Sequence, residues 1–331
     1  MRRFGRLAMS LALIGMLALG IGTTVFAAKA FLAFGGGPVG GTFNYFANAI
    51  AIYLTKNVPD VEVSSEGSGG SAENLKRLHR HDIDFGIVYA GDLYLGRMGK
   101  LPKDPTKYTN VRAVAYLYGA PAQLVVLKNS NITSAKQLVG KKVAVGNAGS
   151  GAALSAERFF RTLGIWDKIE PQFLGYSAAA AAFKDRKIDA FWVLVGYPNA
   201  SIIEASTQDE IRLINVYNDA VEAGFFDKYP FYSKVVIPKG TYRGQDEDVV
   251  TFQDSAYWSA NKDVDPEIVY QALAAIFSPQ GLEHMRKAHK AANEMSIENG
   301  VTGLSIPLHK GAYKFWSEKG LQIPDQYKPI D

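Results

Sequence analysis

The chain has 331 residues, 47% of them hydrophobic, no cysteine, and a formal charge of +4. That is enough apolar material for a sizeable core and suggests two domains. The missing cysteines exclude disulfides, thiolate metal sites, a Cys nucleophile and a lipidated N-terminal Cys. Three of the positive charges sit in the first six residues, so the remainder is close to neutral, which argues against nucleic acid as a partner.

Arg2, Arg3 and Arg6 precede the apolar run Leu7 to Leu19, and Val25-Phe26-Ala27 places small residues where a signal peptidase reads. Residues 1–27 are therefore expected to be an export signal cleaved after Ala27, which sends the protein to the periplasm. The apolar run is short for a membrane span, though an uncleaved anchor is the other reading.

Ala30 to Phe34 predicts a short buried strand that breaks into Gly35-Gly36-Gly37-Pro38-Val39-Gly40-Gly41-Thr42. Phe43, Phe46, Ala47, Ile50, Ala51 and Leu54 then share one helix face, with Thr42 as the expected N-cap. Val61 to Ser64 alternates as a strand, Gly67-Ser68-Gly69-Gly70-Ser71 interrupts it, and Ser71 is expected to cap a helix running to His81. Asp84 to Tyr89 predicts a third buried strand, ending at Ala90-Gly91-Asp92.

Val111 to Tyr118 and Gln123 to Leu127 read as two strands separated by Gly119-Ala120-Pro121. A helix around Ser134 to Leu138 leads to the strand at Val143 and then to Gly146-Asn147-Ala148-Gly149-Ser150-Gly151-Ala152-Ala153, where helical spacing begins and runs to Leu163. A strand that dissolves into glycines and becomes a helix leaves backbone N–H groups aimed at whatever sits in front of it, a setting suited to an anion. Phe173-Leu174 is expected as a strand, Ala178 to Lys184 as a helix, and Asp189 to Val195 as a buried strand ending at Gly196-Tyr197-Pro198-Asn199.

A weak echo links His81-Asp82-Ile83-Asp84-Phe85 to Arg186-Lys187-Ile188-Asp189-Ala190; chance or two similarly built lobes would each produce it. Ile211 to Ile214 predicts a strand, Tyr229 to Gln245 a loop, and Val249 to Trp258 an extended stretch. Helices are expected over Pro266 to Phe277 and Gly281 to Ala292. The Gly/Pro-punctuated tail is expected to wrap a surface rather than build a core.

Several groups taken together resemble the TAXI family of TRAP-transporter solute-binding proteins. They are Gly40-Gly41-Thr42-Phe43, Gly67 to Leu75, Val143 to Gly146 with Gly149-Ser150-Gly151, Lys187 to Phe191, Ile237 to Tyr242 with Gln245-Asp246, and Pro307 to Ala312. The resemblance implies an α/β, two-lobed, type II periplasmic binding protein-like fold, each lobe a mixed sheet flanked by helices. Residues 28–119 and 249–331 would form one lobe and 120–248 the other, hinged near Tyr118 to Gln123 and Val249 to Gln253. It also implies a TRAP permease partner and a glutamate-, glutamine- or 2-oxoglutarate-like ligand. This chain departs from the family pattern at Phe43-Asn44-Tyr45, at Ala152, and at Asp92, which falls one place later than usual.

The expected ligand contacts are Gly41, Thr42, Phe43, Asn44, Ser68, Gly69, Ser71, Asn74, Tyr89, Asp92, Gln123, Gly149, Ser150, Gly151, Ala152, Gly196 and Tyr197. Ser150-Gly151-Ala152 would anchor a carboxylate through amides and a hydroxyl, because no motif loop carries an Arg; Arg158 is expected on a solvated face. Asp92 is expected either to receive the ammonium of an amino acid or to cap a helix. His79 and His81 are spaced wrongly for one metal on a helix, and His284 and His289 equally so; no metal and no cofactor is expected. A P-loop Lys-Ser/Thr and a Gly-x-Ser-x-Gly elbow are both missing, so no enzyme activity is expected. The alternatives are a receptor for an ATP-driven importer or a sensor, or a periplasmic hydrolase using Ser150 or Ser71.

Overall fold

The computed structural model describes residues 29–330; the expected export signal and its cleavage after Ala27 lie outside the described residues. From Ala30 the chain runs twice through one pattern. The first pass is β1 (Ala30–Gly35), α1 (Thr42–Asn57), β2 (Val61–Glu66), α2 (Ser71–Arg80) and β3 (Phe85–Tyr89), with β1 parallel to both β2 and β3. After α3 (Ala90–Arg97) and the long β4 (Val111–Leu127) comes the second pass. It consists of β5 (Lys142–Ala144), α4 (Gly151–Thr162), β6 (Glu170–Gln172), α5 (Tyr176–Lys184) and β7 (Ala190–Leu194), with β5 parallel to both β6 and β7.

The Ile-Asp echo marks the same joint in each pass. Asp84 Oδ2 accepts from the Ala33 amide at 2.8 Å, and Asp189 Oδ2 accepts from the Lys142 amide at 2.9 Å. Each carboxylate ties the entry of the third strand to the first strand of its unit. A left-handed residue precedes each joint, His81 (φ 61) and Arg186 (φ 58). Similar construction, rather than chance, accounts for the echo.

The remaining elements are α6 (Ala200–Ala205), β8 (Ile211–Leu213), α7 (Val216–Glu222), α8 (Phe225–Lys228), β9 (Ser233–Ile237), β10 (Val249–Asn261), α9 (Pro266–Ile276), α10 (Pro279–Ala288) and α11 (Lys310–Glu318). The sheet order is β2-β1-β3-β10-β4-β7-β5-β6, with β8 beside β4 and β9 beside β10. β4 pairs antiparallel with β10 as far as Pro121 and with β7 from Ala122. β10 pairs with β9 up to Gln253 and with β3 from Ala256. The two long strands therefore join the two units and change neighbours at their middles.

Local signals were overridden in five places. The expected break at Gly119-Ala120-Pro121 is instead the middle of one 17-residue strand. Neighbours on both sides hold it extended, the Pro121 carbonyl accepts from the Val195 amide at 3.2 Å, and a Cβ on Gly119 would lie 2.1 Å from Gln253 Oε1. Phe173-Leu174 lies beyond β6, and the expected loop from Tyr229 to Gln245 contains β9, recruited by β10. β1 is only half buried, with Phe31 71% exposed. The tail is not a mere surface wrap: Ala312, Phe315 and Trp316 fall at helical spacing on α11, and Trp316 packs 4.8 Å from Phe277 and donates Nε1–H to the Val114 carbonyl.

One continuous core runs through both units, with an aromatic group in each. Trp258 sits 5.8 Å from Phe34 and 5.3 Å from Phe85 in the first, and Trp192 stacks 5.3 Å from Phe159 in the second. Burying such side chains stabilises by about 1.5–3 kcal/mol each, which holds each frame rigid enough to present its strand ends.

Candidate functional site

The strand ends of the two units face one another across a single cavity. Its envelope, counting the open mouth, is about 380 Å³. From the first unit it is lined by Pro38, Gly41, Thr42, Phe43, Gly69, Gly70, Ser71 and Tyr89, and from the second by Asn147, Ser150, Gly151, Ala152, Gly175, Tyr176 and Val195. Gly41 and Gly151, expected to share a crevice, do so.

Four helices begin at this cavity: α1, α2, α4 and α5. Three of them start on a glycine that offers no side-chain cap, namely Gly41, Gly70 and Gly175. The fourth, α4, is capped by Ser150, whose Oγ accepts from the Ala153 amide at 3.0 Å. First-turn N–H groups left without intrahelical partners carry a partial positive charge and are satisfied by water or a ligand. The expected caps Thr42 and Ser71 are instead the first residues of their helices. Extended glycines precede the helical turn at Gly41 and Gly175, while Gly70 takes φ +108, so the caps fall one residue earlier than the hydroxyls suggested.

Ser71 and Thr42 have other neighbours. Ser71 Oγ donates to Asp92 Oδ2 at 2.6 Å and accepts from the Tyr89 amide at 2.9 Å. Thr42 is 1% exposed, and its hydroxyl lies near that of Tyr118 without hydrogen-bond geometry, so both stay buried and unpartnered.

The cavity walls already touch across the units. The Tyr89 hydroxyl of the first donates to the Leu194 carbonyl of the second, which also accepts from Tyr176 Oη at 3.0 Å. Burial raises both phenols above their ordinary range, which keeps them neutral donors. A Cβ on Gly151 would lie 2.5 Å from Tyr89 Cδ2 and 2.7 Å from Ser71 Cβ, so only glycine permits this approach. Gly146, at φ +101, supplies the left-handed turn that swings the chain from β5 toward α4.

Arg158 corrects the expectation of a solvated face. It is 3% exposed, and its Nη2 donates to Asp92 Oδ1 at 2.6 Å, joining α4 of the second unit to α3 of the first. Its Nη1 donates to Tyr232 Oη at 3.2 Å. Asp92, fully buried, is therefore neither a helix cap nor an open acceptor for an ammonium group. Behind this pair lies Asp254, whose Oδ1 accepts from the Gly91 and Ser255 amides at 3.2 and 2.8 Å. Burial, reinforced by the Asp92 charge and only partly offset by Arg158, pushes the Asp254 carboxyl up to about 8.

The other expected contacts stand outside the lining. Asn74 donates to the carbonyls of Gly35, Gly36 and Ile87 and braces the first loop. Ser68 Oγ donates to the Gly36 carbonyl and accepts from the Gly70 amide. Gln123 donates to the Val195 carbonyl and accepts from Tyr242 Oη, fixing the exit of β7. Asn44 accepts from Asn48, Gly149 lies in the exposed turn before Ser150, Gly196 packs beside Thr42, and half-buried Tyr197 precedes the cis bond to Pro198.

Pro38, Gly70, Asn147, Gly175, Tyr176 and Val195 line the cavity without having been expected as contacts. Aligning the two passes on Asp84 and Asp189 would have found one of them, because Tyr176 opens α5 as the expected contact Ser71 opens α2.

Two βαβαβ units with their strand ends at one crevice, ordered β2-β1-β3-β10-β4 in the first, define an α/β fold of the periplasmic binding protein-like, type II class. The chain belongs to the NMT1-like family, whose model matches residues 34–320. Among solved structures, one from Bordetella bronchiseptica RB50 is similar with a TM-score of 0.50 at 16% identity, covering 88% of this chain and 82% of that one. The periplasmic aliphatic sulphonate binding protein SsuA from Escherichia coli is similar with a TM-score of 0.45 at 18% identity, covering 88% and 84%. The ligand-binding component of an ABC-type import system from Staphylococcus aureus, with zinc bound, is similar with a TM-score of 0.48 at 12% identity, covering 79% and 80%.

Proposed function

We propose that this chain is a periplasmic solute receptor that performs no chemistry and hands its ligand to a membrane importer. Residues 28–119 with 249–331 and residues 120–248 form two lobes, hinged where β4 and β10 change neighbours. They close on a small organic anion or amino acid, glutamate- or 2-oxoglutarate-like in class. The observation that carries this reading is the meeting of four helix starts, two from each unit, at one cavity. A helix start stabilises an anion by about 0.3–1 kcal/mol when exposed and up to ~2 when partly buried. A ligand gripped from both sides becomes part of the lobe interface, so its binding and closure are coupled.

The loop motifs resemble those of the TAXI family, which implies a TRAP-type permease as the partner. The alternative is an ATP-driven importer or a sensor system, and the Staphylococcus aureus neighbour's own name stands on that side. A hydrolase is disfavoured by the Ser71 hydroxyl, which donates to a carboxylate already neutralised by Arg158.

Thermal-shift and calorimetric screening of carboxylates and amino acids tests the receptor reading. A ligand at about a hundredfold excess over its Kd should stabilise the fold by ~2.7 kcal/mol. Silence across the library with folded protein would overturn the proposal. Recovery of an ion-coupled permease, rather than an ATPase-linked one, on the closed receptor decides the partner.

A further inference from the structure

We infer, resting on the two-lobed reading, that Asp254 is a proton-controlled catch on closure: the lobes stay shut while its carboxyl is neutral and part when it ionises. Asp254 is wholly buried in β10, between the last pairing with β9 at Gln253 and the first with β3 at Ala256, beside the proposed hinge. Its Oδ1 accepts from the Gly91 and Ser255 amides, whereas Oδ2 is buried without a hydrogen-bond partner among the described residues. That oxygen lies at the seam between the lobes. A Cβ on Gly91 of α3, in the first lobe, would stand 2.7 Å from it and 2.3 Å from Cε2 of Phe231, in the second. Parting the lobes lifts the Phe231 ring from α3 and admits water to Oδ2.

Shut, the seam balances one charge of each sign and no more. The titratable groups that face Asp254 are Asp92 from α3, Arg158 from α4, Tyr89 from β3 and Tyr232 from the segment before β9. Arg158, the one cation among them, is committed to Asp92 at 2.6 Å, and both partners are buried. Burial holds the two phenols neutral. An ionised Asp254 would therefore be a second buried carboxylate without a counter-charge, which costs far more than a buried neutral hydroxyl. The shut form keeps the proton up to a pH of about 8, whereas an ordinary hydrated carboxyl gives it up near 3.8. Between those values opening releases one proton, so closure weakens as pH rises and levels off above the window.

Because the chain has no cysteine, two introduced ones can carry dyes specifically. Ile52→Cys on α1 and Val221→Cys on α7, both exposed, report the distance between lobes of the full chain by resonance energy transfer. With no ligand added, the shut-to-open ratio should fall by up to about tenfold per pH unit from pH 5 to pH 8, with the circular dichroism spectrum unchanged. Asp254→Asn and Asp254→Leu should each lose the pH response, and Asp254→Asn should lose it in the shut state. Gly151→Leu, which holds the lobes apart at every pH, marks the open signal. A distance that ignores pH in the parent, or the parent's pH profile persisting in a folded neutral variant, would overturn the inference. If Gly151→Leu still lengthens the distance, the two-lobed reading survives that failure; a distance unmoved there as well would overturn both.

Discussion

The two βαβαβ units share a frame and differ in their fittings. Asp84 and Asp189 make the same bond at the same joint, and β1 and β5 each sit between the other two strands of their unit. At the cavity the units part ways. Counting from the helix starts, α1 carries Ala49 where α4 carries Arg158, and it is the first unit that supplies Asp92. A repeated frame brings helix starts together from both sides; unlike fittings let one unit lock onto the other. The charges needed for the lock are kept behind the cavity wall, which leaves the cavity itself uncharged.

The largest expected effect breaks the meeting of the units. Gly151→Leu should abolish ligand binding and hold the units apart, because even a Cβ overlaps Tyr89 and Ser71. Calorimetry and the radius of gyration in solution read this, while an unchanged circular dichroism spectrum shows that the frames survive.

Arg158→Ala removes the lock and leaves the buried Asp92 carboxylate without its counter-charge. A cost of about 3–5 kcal/mol in denaturant unfolding is expected, as for other broken buried pairs. Asp92→Leu combined with Arg158→Met should recover most of it.

The third test concerns Asp254, raised to about 8 in the folded protein from an ordinary value near 3.8. Between those values the folded state holds a proton that the unfolded chain releases, so stability falls as pH rises through the window. Asp254→Asn should flatten that decline; parallel Tm curves from pH 5 to pH 9 would show that the group does not titrate this way.

Gly175→Asp then gives a cavity-facing helix start the acid it lacks. The new Cβ meets only the movable Asn147 amide, at 2.8 Å, so the fold should persist while anion affinity drops by about tenfold. The smallest effect sharpens the likeness rather than the difference: Asp84→Ala and Asp189→Ala should each cost about 1 kcal/mol of stability and leave affinity unmoved.

Much of the frame was legible because it is written in local pattern. The spacing of Phe43 to Leu54 placed α1, and the apolar run from Asp84 to Tyr89 placed β3. The glycine loops announced where strands end, and so announced Gly41, Gly69 and Gly151 as cavity residues. Side-chain roles were less legible. Asn74, Ser68 and Gln123 look in sequence like ligand contacts and prove to be braces, because a polar residue near a loop can serve its own backbone as readily as a guest. β9 and the continuous β4 were hidden because β10 and β7 supply their partners from far along the chain.

What sequence alone determined, then, is the repeated alternation of strands, glycine turns and helices, since periodicity and turn chemistry act over a few residues. What only the tertiary structure decided is which charges are paired. Arg158 and Asp92 stand 66 positions apart, and nothing short of packing one unit against the other could bring them to 2.6 Å and leave the cavity beside them neutral.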